Sequence, residues 1–175
     1  MMKINQLYGC LLMTISISAT AVENPIVSNS DIVGEWSCRI LYRDLDIESL
    51  DTLDFHADGS TVGLGLLSVQ KIFTYESHHT GRWSLQNNIL SENSTNYRFG
   101  RIHSKQTEKR LSEEPLLKEQ EQQFFQQLTQ NMNNGDSTDF EILDLKENRM
   151  LINHIWKNQQ RHPGLCVKKV EKNPN

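Results

Sequence analysis

The sequence carries no excess of positive charge: 18 Lys and Arg stand against 22 Asp and Glu, a formal charge of −4. Nucleic-acid backbones are held by clustered cations, so a DNA- or RNA-binding role is excluded. Cysteine is scarce, at three residues, which rules out a small scaffold built mainly on disulfides. No Gly-x-Ser-x-Gly elbow, nucleotide-binding loop or metal-ligand spacing is present, so the sequence points away from an enzyme and implies no cofactor and no metal. Beyond the N-terminus no segment approaches the roughly 20 apolar residues that span a bilayer as a helix.

The N-terminus itself reads as an export signal. Lys3 supplies a short positive region, Leu7 to Ile17 an apolar core, and Ala19-Thr20-Ala21 a small-x-small cleavage pattern. Residues 1–21 are therefore predicted to be a signal peptide. The run is diluted by Thr14, Ser16, Ser18 and Thr20, which favours cleavage over anchoring. A lipobox reading of Leu7-Tyr8-Gly9-Cys10 leaves almost no apolar segment before the cysteine. Cleavage removes one lysine and no acid, leaving 17 basic against 22 acidic side chains and a formal charge of −5. The product is a non-cytosolic chain, periplasmic or secreted, with a lead-in over 22–31, one domain over 32–171 and a tail over 172–175.

Cys10 leaves with the signal, so Cys38 and Cys166 remain as a pair in an oxidising compartment and are predicted to form a disulfide. Two reduced buried thiols are the alternative. Cys38 lies in the first predicted strand and Cys166 in the last. Their bridge brings the two ends of an up-and-down sheet together, which happens only if the sheet curls into a barrel.

Period-two alternation supplies the strands. Trp36, Cys38, Ile40 and Tyr42 share one face of the first. Leu53 and Phe55 lead through Asp58-Gly59, a tight-turn dipeptide, to Val62, Leu64 and Leu66. Gly63 and Gly65, between them, suit a bend or a close backbone approach. Residues 72–75, 81–85, 89–91 and 97–103 read as further short strands, with Asn87-Asn88 and the polar stretch 92–96 as turns. Residues 140–145 and 150–156 follow, and Pro163-Gly164 is read as the turn into 165–170. Over about 105–136 the pattern changes to a Gln-, Glu- and Lys-rich helical insertion. Ser112 serves as its cap, Pro115 lies in its first turn, and Leu117, Phe124, Phe125, Leu128 and Met132 form its apolar stripe. The expected fold is mainly β: a single antiparallel barrel of about 8 to 10 strands with one helical insertion.

Val33-Gly34-Glu35-Trp36 resembles the Gly-x-Trp start of lipocalin-like proteins. Thr80-Gly81-Arg82-Trp83-Ser84-Leu85 and Phe140 to Ile152 are similar to mid-chain and late-hairpin segments of small exported lipocalin-like barrels. More weakly, the order of Gly-x-Trp segment, polar helical insertion and late hairpin resembles the periplasmic domains of ToxS-like partners of membrane-bound regulators. Those proteins keep an N-terminal membrane helix, whereas this chain is expected to be cleaved.

The first resemblance implies a non-catalytic binding protein that carries or senses a small amphipathic ligand in the barrel mouth. Leu53, Phe55, Val62, Leu64, Phe73, Tyr75, Trp83 and Tyr97 are the candidate ligand contacts, or else they fill a narrow barrel. Trp36 is read as a plug at the closed end. The alternative function is a protein-binding module of the cell envelope: an enzyme inhibitor, a toxin-immunity protein or an accessory subunit of a regulator. Such a module would use an exposed patch at Phe124, Phe125 and Leu128. The insertion is then a lid, a docking surface or a brace on the barrel wall. His78-His79 is read as a solvated loop pair, and Asp51 and Asp54 as solvated acids.

Overall fold

A computed structural model describes residues 26–132, 137–156 and 158–170. The expected signal peptide, residues 22–25 of the lead-in and the tail at 172–175 lie outside the described residues.

Eight antiparallel strands follow one another in sequence order and close into a barrel. They are β1 (Gly34–Tyr42), β2 (Ile47–Phe55), β3 (Ser60–Val69), β4 (Phe73–Gln86), β5 (Ile89–Arg101), β6 (Ser137–Lys146), β7 (Arg149–Ile155) and β8 (Arg161–Lys168). Closure runs through β1 and β8, where Cys38 pairs directly with Cys166 and the two form a disulfide. The first and last strands of the sheet thus pair with each other.

Eight strands suffice because two pairs of expected short strands are single long ones. Residues 72–75, from Phe73 on, and 81–85 belong to β4, and 89–91 and 97–103 to β5 up to Arg101. The polar residues read as turns between them are strand residues whose side chains alternate between the lumen and solvent. Pro163-Gly164 is likewise inside β8, and the β7–β8 connection falls at 156–160. A proline is tolerated there because β8 begins to pair with β1 only from Gly164 onward. The Asp58-Gly59 and Asn87-Asn88 turns stand as expected. Gly59, Asn87 and Asn88 all have positive φ, at 82°, 51° and 60°.

One end of the barrel is plugged by apolar side chains. Trp36 is fully buried, and its indole N–H donates to the Ile32 carbonyl at 2.7 Å. That bond draws the short helix α1 (Asn29–Ile32) across the opening. Phe55 and Trp83 pack edge to face with ring centroids 5.8 Å apart, and both belong to the same buried cluster as Trp36. Burying side chains of this size contributes about 1.5–3 kcal/mol each.

The helical insertion covers the opposite end, and it is two helices rather than one from Ser112. α2 (Lys105–Glu113) is capped by Ser104, whose hydroxyl accepts from the Thr107 N–H at 3.1 Å. α3 (Pro115–Met132) has Pro115 as its first residue. The break at Glu114 follows from that proline, which pushes the preceding residue out of the helical region, here to φ −115° and ψ 92°. β5 pairs with β6 only over Ile89–Asn93, so its upper half has β4 as a partner, and the insertion packs over that stretch.

Candidate functional site

Alternation along the strands decides which side chains enter the barrel, and on β3 it runs opposite to expectation. Val62 and Leu64 are 49% and 43% exposed on the outer wall. The inward positions are Thr61, Gly63, Gly65, Leu67 and Val69. Val62 and Leu64 are therefore corrected: neither can contact a ligand in the lumen. The reason lies across the barrel wall. A Cβ on Gly63 would sit 2.0 Å from the His79 ring, and one on Gly65 would sit 2.5 Å from both Asp51 Oδ1 and Ser77 Oγ. The two glycines leave room for polar side chains of β2 and β4 inside the barrel.

Those side chains form the middle layer of the lumen. His79 is no loop residue: it lies on β4, and its Nε2 meets Glu92 Oε1 of β5 at 2.7 Å. The Glu92 side chain is 3% exposed and that of His79 11%. A β-bulge between His78 and Thr80, opposite Asn96 in the left-handed region, turns His79 and Tyr97 to the same side. Their rings lie parallel, 5.7 Å apart. Asp51 enters from β2 and accepts from the Ser49 hydroxyl; Asp54 stays outside, beside His56.

Burial moves the acid–base chemistry of this layer. Loss of hydration pushes Asp51 up to about 6, against the lowering effect of the Ser49 bond and of nearby His79. Tyr97 is pushed up to about 12 by burial, although its bond to Ser77 acts the other way. On the far wall His154 is lowered to about 4, by burial and then by His162, and its Nδ1 meets the Tyr42 hydroxyl at 2.9 Å.

Around this layer lies a cavity of about 160 Å³. Its polar side is Ser49, Asp51, Ser77, His79, Glu92 and Tyr97, and its apolar side includes Ile40, Leu53, Leu67, Phe99 and Phe140. Of the expected ligand contacts, Leu53 and Tyr97 line it. Phe55 and Trp83 belong to the apolar plug, the Trp83 indole donating to the His56 carbonyl at 2.9 Å. Phe73 and Tyr75 are buried at the other end beneath the insertion.

The insertion is fastened there through one carboxylate. Glu121 of α3, 3% exposed, accepts from the Tyr75 hydroxyl at 3.1 Å and the Arg101 guanidinium at 2.8 Å, with His103 Nε2 at 3.4 Å. Phe124 and Phe125 pack on Tyr75 at 6.0 and 5.9 Å, and Arg101 sits 3.5 Å over the Phe125 ring. Leu128 packs against the core as well. These three residues are thus not the exposed patch expected of a partner surface: their apolar faces are turned to the barrel, as in the brace reading.

Sequence reasoning took Asp51 and His79 as solvated and Glu92 as part of a turn, and it read Gly63 and Gly65 as a bend or a close approach without placing them toward the lumen. The available signal was the Gly-Leu-Gly spacing of 63–65, which places two residues without side chains on one face of a strand. Among the described residues no group of three His, Cys, Asp or Glu side chains is arranged to hold a metal ion, and no helix is long and apolar enough to cross a membrane.

These features define a closed eight-stranded antiparallel β-barrel with a disulfide at its seam and a polar layer inside. No protein-family model matches the sequence, and no curated protein matches it either.

Proposed function

We propose that the chain is an exported, lipocalin-like, non-catalytic binding protein that holds a small ligand inside its barrel. The observation that carries this reading is the lumen cavity, with polar groups on one side and apolar walls on the other. A barrel selected only for stability would fill its interior with apolar side chains. Here Gly63 and Gly65 instead make room for ionisable groups, whose burial costs free energy. An apolar cavity of about 150 Å³ admits benzene, so a ligand of about six heavy atoms fits, smaller than a lipid. The cavity's mixed lining suits an amphipathic molecule of that size. The Cys38–Cys166 disulfide fits an oxidising compartment, the periplasm first and the extracellular space second.

Native mass spectrometry of protein recovered from the exported fraction tests the reading. A small mass that leaves on denaturation is expected. An apo mass, together with lumen NMR resonances that no small-molecule probe shifts, overturns it.

A protein-binding module of the envelope, including the accessory-subunit role, is favoured by a different observation. Leu50, Val62, Leu64 and Leu66 form an exposed apolar row on the outer wall of β2 and β3.

A further inference from the structure

We infer that the ligand class of the lumen is a small organic cation, a protonated amine with a short apolar body, bound by Asp51 and Glu92. This deepens the ligand-binding reading above and depends on it.

Charge in the cavity leads to the assignment. Its lining holds two carboxylates, Asp51 and Glu92, and no Lys or Arg. The bases that line it are His79 and His154. His79 is already engaged by Glu92 at 2.7 Å, and His154 is held neutral by burial. Two carboxylates facing one engaged imidazole leave the lumen without a cationic partner for Asp51. Asp51, at about 6, is ionised at neutral pH. A buried unpaired charge is costly, and a monocationic ligand pairs it. An anionic head such as that of a fatty acid repels it.

Hydrogen-bonding capacity points the same way. An ionised carboxylate accepts about four bonds. Among the described residues each of these takes a single side-chain donor, Ser49 for Asp51 and His79 for Glu92. A second, independent sign is the ring of His79: with Nε2–H donating to Glu92, its buried Nδ1 is an acceptor without a partner. An ammonium group brings three donors and satisfies acceptors that the protein leaves open. The apolar wall of Leu53, Phe99 and Phe140 then takes its carbon chain.

Three probes of nearly equal size separate the alternatives: n-butylammonium, 1-butanol and butyrate, titrated at about pH 7.5 and followed by protein NMR at the lumen residues. The cation is expected to bind at least about tenfold tighter than the alcohol, as a charge-assisted hydrogen bond in a shielded site provides. Asp51→Asn and, separately, Glu92→Gln are expected to abolish that preference, read in each variant as the ratio of butylammonium to butanol affinity. Asp54→Asn, a carboxylate removed from the outer wall of the same strand, is expected to leave the preference intact. Equal binding of butanol and butylammonium, or a preference for butyrate, overturns the cation assignment and leaves the ligand-binding reading standing. Lumen resonances unmoved by all three probes overturn both.

Discussion

A carboxylate placed inside a barrel is a liability to folding, and Asp51 shows how large. Its folded value of about 6 lies above the ordinary 3.8 because burial penalises the ion. A raised carboxyl value gives stability that is fully present below the unfolded value and lost as pH rises through the folded one. Asp51 therefore destabilises the barrel above pH 6, by about 2 kcal/mol after allowance for the solvent that reaches the lumen. Asp51→Asn is expected to raise the unfolding free energy by about that amount at pH 8 and by almost nothing at pH 4. Urea unfolding at the two pH values checks it, and an equal gain at both would remove the electrostatic explanation. His154 acts with opposite sign: its value of about 4 means stability present near pH 7 is lost as pH falls toward 4.

Gly63 belongs to the same scale. An alanine there meets the His79 ring at 2.0 Å, and no rotamer of a methyl group relieves it. Gly63→Ala is expected to destabilise by about 1–3 kcal/mol, as overpacking does, and to break the His79–Glu92 contact, visible as a shift of the His79 ring resonances. This face of β3 was illegible in the sequence for a physical reason. Val62, Leu64 and Leu66 alternate as a buried apolar face would, and only the ionisable residues of two other strands explain why the glycine face is the inner one.

At the level of elements, the insertion is held to the barrel by few but concentrated contacts. Glu121 gathers Tyr75, Arg101 and His103, the aromatic stack of Phe124 and Phe125 covers Tyr75, and the Thr107 hydroxyl donates to the Ile72 carbonyl at 3.0 Å. Glu121→Ala leaves the Tyr75 hydroxyl buried without its acceptor, at a cost of about 1–3 kcal/mol. Arg101 is partly exposed and turns to water, which limits the loss. The expected result is faster amide exchange over 105–130, with protection of the β1–β8 ladder unchanged. Exchange that rises equally everywhere would mean the insertion is part of the barrel's cooperative unit rather than a cover on it. The existence of the insertion was legible from its composition and its stripe, and so were the Asp58-Gly59 and Asn87-Asn88 turns. The lengths of β4 and β5 were not, because polar residues inside a barrel mimic the polar residues of turns. The fastening residue Glu121 was invisible for a related reason, since one acid in a Gln- and Glu-rich helix carries no mark of what it will meet.

Closure is a property of the whole molecule and was the most legible feature, because two cysteines near the ends of a β-rich chain constrain topology in a way that single strands do not. β1 and β8 contribute five paired positions to the seam, from Trp36–Lys168 to Ile40–Gly164, with Cys38–Cys166 at the centre. The bridged residues are 128 apart. The loop so closed spans almost the entire domain, so opening the bridge frees most of the chain in the unfolded state and costs about 4–5 kcal/mol by chain entropy. A net stability of about 5–15 kcal/mol is typical, so the Cys38→Ala/Cys166→Ala double variant is expected to keep the barrel but with a large share of its margin lost. The two Cys side chains are almost wholly buried inside the barrel, so the bond should resist reductant while the fold is intact and yield to it at denaturant concentrations that start unfolding. Urea titrations with and without dithiothreitol measure both quantities. Rapid reduction in the absence of urea would instead show that the β1–β8 seam opens locally, and that the barrel can part at its seam without unfolding.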